Sequence, residues 1–273
     1  MRLAAIGDNC IDIYTNLGLG CPGGGPVNFA VQARRAGADT AYVGVIGDDE
    51  HGEWLKAALV AEGVDVRHLL QVPGPTAVAY VRLEGNERTF IGADRGVRLQ
   101  LRVTSEIDDY LADFDLIHTT LDGLVDEAIP RWYAAGRRVS YDFSHRARPE
   151  QFALLPHVYV AFFSGQKISW ADGPARLRSL YQSGGPVLVM TFGADGSLAF
   201  DGAHYYDQPA LPTQLVDTLG AGDAFQAGFM LSYLEGGSIP EALRRGAQLA
   251  AQACGRLGGF NHEHRITETS RGT

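Results

Sequence analysis

Short apolar runs alternate with segments of helical periodicity along most of this chain, and this alternation constrains the fold more than any other feature. The runs are rich in valine, isoleucine and alanine, as buried parallel strands are. Strands are predicted at residues 2–7, 41–47, 115–118, 138–143, 158–163 and 186–192, and helices at about 26–37, 49–63, 125–136, 173–183, 221–234 and 239–257. Parallel strands joined by helices on both faces form a doubly wound α/β sheet.

Two stretches interrupt the alternation. Residues 76–83 and 87–92 flank the turn Glu84-Gly85-Asn86, which predicts a β-hairpin. Residues 11–17 alternate loosely and predict a strand outside the main sheet. An interruption of this kind indicates an inserted lid.

We therefore expect a single α/β domain over residues 1–273, with a small β lid inserted from about 11–20 and 76–93. A second hairpin is predicted within residues 197–206. The polar tail 261–273 is expected to fray.

Composition narrows the range of partners. Of 273 residues, 45% are hydrophobic and 20% charged, which is typical of globular proteins. No apolar run approaches the roughly 18 residues of a membrane span, and the apolar part of residues 1–8 is too short for a signal peptide. The net charge of −9 argues against nucleic acid as a partner. We expect a cytoplasmic protein that binds small molecules.

Cysteine and histidine positions give no sign of a metal centre. Cys10, Cys21 and Cys254 are odd in number and lack Cys-x-x-Cys spacing, so we expect reduced thiols. Four histidines lack a serine or cysteine nucleophile context and are expected to be structural: His118, His145, His262 and His264.

A glycine-rich turn leads into a helix within Asp217–Phe229, whose sequence is Asp-Thr-Leu-Gly-Ala-Gly-Asp-Ala-Phe-Gln-Ala-Gly-Phe. The backbone N–H groups of Gly220, Ala221 and Gly222 are predicted to bind an anion, typically phosphate. Asp223 would take a proton from an incoming hydroxyl, so the stretch favours phosphoryl transfer. The alternative is a plain turn in which Asp223 serves as an N-cap.

The whole stretch resembles the C-terminal signature of the ribokinase/pfkB-type carbohydrate kinases, in which Asp-Thr precedes Gly-Ala-Gly-Asp and Phe-x-x-Gly-Phe follows. The resemblance implies a ribokinase-like fold. It also implies ATP as the phosphoryl donor, Mg²⁺ bridging its phosphates, and catalytic roles for Gly220, Ala221, Gly222 and Asp223.

An N-terminal signature of the same family is matched by the run Gly-Gly-Gly-Pro-Val-Asn. The resemblance implies that Gly24, Gly25 and Asn28 contact the sugar, and glycine backbone with an amide suits a polyol. Asp12 occupies the place of the family's sugar-binding aspartate. Asp8 either binds the sugar too or caps the turn.

A third segment, Val189–Ser197, resembles the family's nucleotide-binding Thr-x-Gly-x-x-Gly. The implied nucleotide contacts are Ser164, Thr191, Gly193, Gly196 and Gly222.

One element of the family pattern is missing. The family commonly carries Asn-x-x-Glu at the end of the preceding strand, tied to magnesium and phosphate placement, whereas this chain has Ser164-Gly165-Gln166-Lys167. A lysine replaces the carboxylate, so no metal ligand is assigned. Lys167 either pairs with phosphate or is solvated.

Shorter and less specific matches concern the substrate. Residues 7–14, Tyr141–Ser144 and Leu219 resemble fructoselysine 6-kinases more than ribokinases or fructokinases, and the similarity covers most of residues 1–260. It implies phosphorylation of the 6-hydroxyl of fructoselysine or a related fructosyl amino acid, with Arg88 and Phe90 facing the sugar. The alternatives are a kinase of another ketose or a sugar acid, of the fructokinase or ketodeoxygluconate kinase type, and a non-catalytic sugar sensor.

Two other nucleotide-binding folds fit poorly. Gly18–Gly23 matches the pattern Gly-x-Gly-x-x-Gly of dinucleotide-binding sites. Such a site needs an acid at the end of the following strand, whereas Asp39 comes before the strand predicted at residues 41–47. Neither Lys56 nor Lys167 lies in a P-loop. Exposed edges of the predicted lid favour a homodimer through that sheet.

Overall fold

The computed structural model describes residues 1–85 and 87–266. Its strands are β1 Arg2–Ile6, β2 Cys10–Tyr14, β3 Leu19–Gly23, β4 Asp39–Gly47, β5 Leu69–Val72, β6 Val78–Glu84, β7 Glu87–Asp94, β8 Leu116–Thr120, β9 Val139–Asp142, β10 Val160–Ser164, β11 Val187–Thr191, β12 Ser197–Phe200, β13 Tyr205–Gln208 and β14 His264–Arg265.

The α-helices are α1 Gly25–Arg35, α2 Glu50–Ala61, α3 Ser105–Leu111, α4 Ile129–Ala134, α5 Gly173–Leu180, α6 Ala221–Leu234 and α7 Ile239–Cys254. Short 3₁₀ helices are Gly96–Gln100, Asp126–Ala128, Pro149–His157, Trp170–Asp172 and Gly193–Asp195. No helix in this described part of the chain is long and apolar enough to cross a membrane. All three cysteines are free thiols.

The larger sheet has nine strands in the order β13-β12-β11-β10-β9-β8-β1-β4-β5. Strands from β11 to β5 in this order pair in parallel, and β12 and β13 form the predicted second hairpin. β1 lies between β4 and β8. The chain adds β4 and β5 on one side of β1 and then adds β8 to β13 on the other side, so the strand order reverses at β1. Open α/β sheets bind ligands at such a switch point, beyond the carboxyl ends of the strands. The prediction of a mostly parallel, doubly wound sheet is confirmed.

Helices cover both faces of this sheet, as the alternation of β1 shows. Leu3 and Ala5 belong to a core shared with α1, α6 and α7. Ala4 and Ile6 belong to a second core shared with α3, α4 and α5. Because successive strand residues point to opposite faces, one fully apolar strand serves both cores.

A second sheet has five strands in the order β14-β3-β2-β6-β7. The sequence placed an inserted sheet at about residues 11–20 and 76–93, and β2, β3, β6 and β7 occupy and slightly exceed those bounds. Tyr14, Cys21 and Val81 of this sheet pack with Leu219, which lies in the turn before α6. The sheet is thus joined to the glycine-rich turn. Asn86, in the predicted hairpin turn, lies outside the described residues.

The expectation that the tail frays is wrong for its first residues. His264 and Arg265 pair with Gly20 and Leu19 of β3. Trp54 stacks on His264 with ring centroids 4.6 Å apart, which confirms a structural role for that histidine. Sequence reasoning missed β14 because its residues are polar. Pairing with the edge strand β3 and the stacking of His264 on Trp54 hold β14 in place, rather than burial. Residues 267–273 lie outside the described part.

Three other elements differ from expectation. The helix predicted at residues 125–136 is a 3₁₀ turn followed by α4, with a proline near the start of α4. α3 was missed; it begins after Thr104, whose hydroxyl caps the backbone N–H of Ile107. β3 was missed because Leu-Gly-Cys-Pro-Gly has the composition of a loop, and only pairing with β2 makes it a strand.

The close approach of α6 and α7 rests on glycine. A Cβ added at Gly228 would lie 2.6 Å from the carbonyl oxygen of Arg245. One added at Gly246 would lie 2.8 Å from the carbonyl oxygen of Phe225. Neither helix can accept a methyl group here without moving.

We predict that Gly228→Ala lowers the free energy of unfolding by roughly 1–3 kcal/mol, because overpacking outweighs the higher helix propensity of alanine. Gly255→Ala is the matched control, since the nearest atom to its added Cβ is 3.5 Å away. Urea unfolding followed by circular dichroism measures both. Equal midpoints for the two variants would contradict the packing argument.

Candidate active site

Several strands of the large sheet end at one edge with a polar side chain. β1 is followed by Asp8, and β8, β9, β10 and β11 end at Thr120, Asp142, Ser164 and Thr191. The N-termini of α1 and α6 meet at this edge, because a Cβ added at Gly25 would lie 2.8 Å from Thr120 Cγ2 and 3.6 Å from Asp223 Oδ1.

A hydrogen bond joins the two glycine-rich segments. Asn28 Nδ2 donates to Asp223 Oδ2 at 2.8 Å, across 195 residues of sequence. A Cβ at Gly259 would lie 2.1 Å from Asn28 Oδ1, so only glycine leaves room for this amide. Asn28 is buried, and its Oδ1 has no hydrogen-bond partner in residues 1–85 and 87–266. That oxygen is enclosed beside Gly259.

The N-terminus of α6 is shaped to receive a ligand. Gly220 is its N-cap, with a left-handed φ of 75°, and a Cβ there would lie 2.7 Å from Gly259 Cα. The N–H of Ala221 donates to the Thr218 carbonyl at 3.3 Å. Gly222 is exposed, and a Cβ there would meet no atom within 4 Å. The open approach to the helix dipole is therefore over Gly222.

Asp217 holds the turn that precedes this helix. Its carboxylate is fully buried and accepts backbone N–H bonds from Leu219 and Gly258, each at 3.0 Å. The Tyr14 hydroxyl, from the second sheet, also donates to it. Three hydrogen-bond donors thus fix the turn, and Asp217 has a structural role in holding it.

Asp223 is an unusually weak acid. Loss of solvent around its carboxyl group raises its pKa to about 8; the Asn28 amide lowers this pKa, and the nearby charges of Asp142 and Asp8 raise it. A carboxylate with a pKa near neutrality is a far better general base than an ordinary one.

Asp8 lies deeper along the same edge. Thr120 Oγ1 donates to Asp8 Oδ1 at 2.6 Å, and a guanidinium nitrogen of Arg98 is 3.7 Å from Asp8 Oδ2. Burial raises the pKa of Asp8, and the Arg98 charge partly offsets this. Sequence reasoning missed Thr120 and Arg98. Thr120 could have been found as the polar end of a predicted strand, but no local pattern marks Arg98.

Asp12 is buried on β2, where Cys10 Sγ donates to its Oδ1 at 3.7 Å. Burial raises the pKa of Asp12 to about 7, and the charge of Arg88 lowers it. A Cβ at Gly23 would lie 2.2 Å from Asp12 Oδ2, so glycine is needed beside this carboxylate. Arg88 also lowers the pKa of Asp223, which places this hairpin residue close to both acids.

Phe90 lies two residues after Arg88, before the irregularity in the β6–β7 pairing, and so on the same face of β7. Its side chain is 65% exposed. Gly24 has a φ of 113°, and a Cβ there would lie 2.7 Å from Asn9 Cα. The backbone of Gly24 is therefore packed against Asn9, just before α1 begins at Gly25.

The predicted nucleotide residues lie further along the sheet edge. Ser164 and Thr191 are directly opposite each other in the β10–β11 register. Gly193 is exposed, with a φ of 58°. Gly196 is buried with a φ of 107°, and a Cβ there would lie 2.3 Å from the Gln208 carbonyl oxygen, so packing also explains this glycine.

Ser164–Lys167, in place of Asn-x-x-Glu, offers no carboxylate to a metal. Gln166 and Lys167 are exposed. In the part of the chain that the structure describes, no group of three or more His, Cys, Asp or Glu residues could hold a metal ion. These residues do not fit a magnesium ion held by the protein at this place.

His118 confirms its expected structural role. It is fully buried, stacks on Phe29 at 3.9 Å between ring centroids, and has Nδ1 2.9 Å from Ser140 Oγ. Burial lowers its pKa to about 3, so it is neutral at physiological pH.

The raised pKa of Asp223 predicts a pH-dependent gain of stability in Asp223→Asn. Between its ordinary pKa near 3.9 and about 8, the folded state binds more protons than the unfolded state, so the free energy of unfolding falls as pH rises. Asparagine cannot ionise. We expect its melting temperature to exceed that of the parent protein by roughly 2–5 °C at pH 8.5 and to differ little at pH 4.

Differential scanning calorimetry at both pH values checks this. Asp109→Asn, at an exposed position on α3, is the control and should show no such difference. A stability gain of equal size at both pH values would refute the argument.

Comparison with known proteins agrees with this geometry. The chain matches the family described as pfkB family carbohydrate kinase over residues 21–139 and 153–264. It is 36% identical to the fructoselysine 6-kinase of Escherichia coli (strain K12) over 92% of this chain and 96% of that protein. It is 33% identical to a fructosamine kinase of Bacillus subtilis (strain 168), over 96% and 94% of the two chains.

Among solved structures, fructokinase with bound ATP from Xylella fastidiosa superposes with a TM-score of 0.79 and 24% identity, over 95% of this chain and 94% of that one. This likeness confirms the ribokinase-like fold. Together, the match over most of its length and these relatives show that the chain belongs to the pfkB family of carbohydrate kinases.

Proposed function

We propose that this kinase transfers the γ-phosphoryl group of ATP to the 6-hydroxyl of fructoselysine or a related fructosyl amino acid. The observation that carries the proposal is the hydrogen bond between Asn28 and Asp223 at the open N-terminus of α6. It brings a polyol-binding amide, a base of raised pKa and an anion site together, and phosphoryl transfer to an alcohol needs these three groups.

In the proposed reaction the acceptor hydroxyl lies between the transferred phosphoryl group and Asp223. The carboxylate of Asp223 takes the hydroxyl proton. The first turn of α6, over Gly220, Ala221 and Gly222, balances the negative charge of the group in transfer through the helix dipole and the open N–H of Gly222. Asn28 keeps Asp223 oriented.

The acceptor sugar is held by the residues around that hydroxyl. Carboxylates of Asp8 and Asp12 accept hydroxyl bonds, the Asn28 side chain contacts the sugar, and the backbone of Gly24 and Gly25 lets the sugar approach closely. Holding the sugar in one orientation is the main task, because phosphoryl transfer depends chiefly on positioning.

ATP lies along the carboxyl ends of β10 and β11, beside Ser164, Thr191, Gly193 and the backbone of Gly196, with its γ-phosphate at Gly222. Magnesium bound to ATP would neutralise phosphate charge. Because Ser164–Lys167 carries no carboxylate, no protein ligand to magnesium is assigned.

The second sheet acts in this proposal as a lid. Arg88 lies near both Asp12 and Asp223, and Phe90 lies on the same face of β7. Closure of this face over the sugar would exclude water, which otherwise competes as the phosphoryl acceptor.

The acceptor class is supported by the relatives. The relatives from Escherichia coli and Bacillus subtilis, 36% and 33% identical, carry names for kinases of fructosyl amines, whereas a Klebsiella pneumoniae fructokinase is 32% identical. That fructokinase is aligned over 94% of this chain, so identity alone does not decide between the acceptors.

We predict that Asp223→Asn lowers kcat by roughly 100- to 10,000-fold with little change in ATP affinity, because the base is lost and the nucleotide contacts remain. ADP release and ATP titration calorimetry measure the two quantities. Asp109→Asn is the control. Full activity of Asp223→Asn would contradict the role of the base, and absence of turnover in the parent protein would favour a sugar sensor.

A substrate panel tests the acceptor. We expect kcat/KM for fructoselysine to exceed that for fructose at least tenfold, because only the former fills the site beyond the sugar. Mass spectrometry with ¹³C-labelled acceptors locates the phosphorylated hydroxyl. A preference for free ketoses would replace this acceptor with a fructokinase-type one.

We also propose a homodimer through the second sheet. β7 is an edge strand of that sheet, and its Ile91 is 56% exposed. Unpaired strand edges with apolar side chains favour association. Ile91→Lys is predicted to shift the protein from dimer to monomer in light scattering at 20 µM. Leu70→Lys, on exposed β5, should leave the dimer intact, and a monomeric parent protein would refute the proposal.

A further inference from the structure

Arg98 is a largely buried cation whose Nε finds no hydrogen-bond acceptor in the described part of the chain. It lies in the 3₁₀ helix Gly96–Gln100, directly after the second sheet, and its side chain is only 14% exposed. Its Nε is buried and has no partner within the described ranges 1–85 and 87–266. The nearest acid contact is with Asp8 Oδ2 at 3.7 Å, which is too long for a hydrogen bond.

A guanidinium group has five N–H donors, and buried charges in proteins are normally paired and hydrogen-bonded. A contact at 3.7 Å balances part of the charge without saturating these donors. Acceptors from a bound molecule would complete the set. The planar fork of arginine suits a carboxylate best.

A short path of contacts leads from the base to Arg98. Gly25 lies between Asp223 and Thr120, and Thr120 donates to Asp8, which contacts Arg98. Arg98 is therefore separated from the phosphorylation site by a few side chains.

We propose that an acceptor whose reacting hydroxyl lies at Asp223 reaches Arg98 with its other end, and that Arg98 binds a carboxylate there and thereby selects carboxylate-bearing acceptors. Asp8 accepts a hydrogen bond from the neighbouring ammonium group when the acceptor is a fructosyl amino acid. This inference rests on the proposed kinase function. The carboxylate has two possible sources, the amino-acid part of a fructosyl amino acid or a sugar acid.

A purely structural role for Arg98 makes a different prediction. If the guanidinium only balanced the charge of Asp8, its loss would impair every acceptor alike, because all acceptors share the cleft. If it binds a carboxylate, its loss impairs only acceptors that carry one. Two acceptors that differ solely in that group separate the two roles.

The experiment measures kcat/KM for fructosylglycine and for fructosylmethylamine, its counterpart without the carboxylate. Variants are Arg98→Gln, which removes the charge, and Arg98→Lys, which keeps a positive charge beside Asp8 but loses the fork. Arg95→Gln is the matched control, since Arg95 is exposed and caps the same 3₁₀ helix. 2-Keto-3-deoxygluconate serves as the sugar-acid arm.

We expect Arg98→Gln to lower kcat/KM for fructosylglycine roughly 10- to 100-fold and that for fructosylmethylamine less than about threefold, through KM rather than kcat. Arg98→Lys should fall between, and Arg95→Gln should match the parent protein. Equal losses on both acceptors, or no loss on either, would overturn the inference while leaving the kinase proposal intact.

The sugar-acid arm separates the two proposals. If the parent protein phosphorylates only the sugar acid, the fructosyl amino acid proposal fails, and Arg98→Gln must then lower kcat/KM for that acid if the inference is right. If the parent protein phosphorylates none of the three acceptors, the inference about Arg98 fails, and if it also leaves fructoselysine unphosphorylated, the proposed function fails with it.

Discussion

The architecture of the candidate active site depends on one buried carboxylate, that of Asp217. Asp217 accepts hydrogen bonds from Tyr14 in the second sheet, from Leu219 in the glycine-rich turn, and from Gly258 beyond α7. Three segments distant in sequence are thereby held at one point. Bonds to a charged acceptor are stronger than neutral ones, so this point resists distortion. These three hydrogen bonds fix the start of α6 and attach the second sheet beside it.

Around that fixed point the cleft concentrates negative charge. Burial raises the pKa of four carboxyl groups there: Asp8, Asp12, Asp142 and Asp223. The charge of Asp8 raises the pKa of the other three further. Positive charges near these acids are Arg88, Arg98 and Arg146, together with the dipole of α6. Because negatively charged acids repel a phosphate group, a phosphate bound there depends on the positive end of the α6 dipole.

Patterns that are local in sequence were predictable. Apolar strand runs indicated the main sheet, and glycines beside helix starts indicated two segments that the structure joins through Asn28 and Asp223. Contacts between distant residues were not predictable. β3 looks like a loop until it pairs with β2, and Arg98 has meaning only beside Asp8. The raised pKa of Asp223 likewise arises from burial and neighbouring acids, which no single segment contains.

The pairing of β14 with β3 has a consequence for synthesis on the ribosome. β3 ends at Gly23, whereas its partner is His264–Arg265. Most of the polypeptide has therefore emerged before the edge of the second sheet can be covered, and until then that edge stays open to other chains. The second sheet is therefore completed after the strands of the main sheet, and its outer edge at β3 is the last to be paired among the described strands.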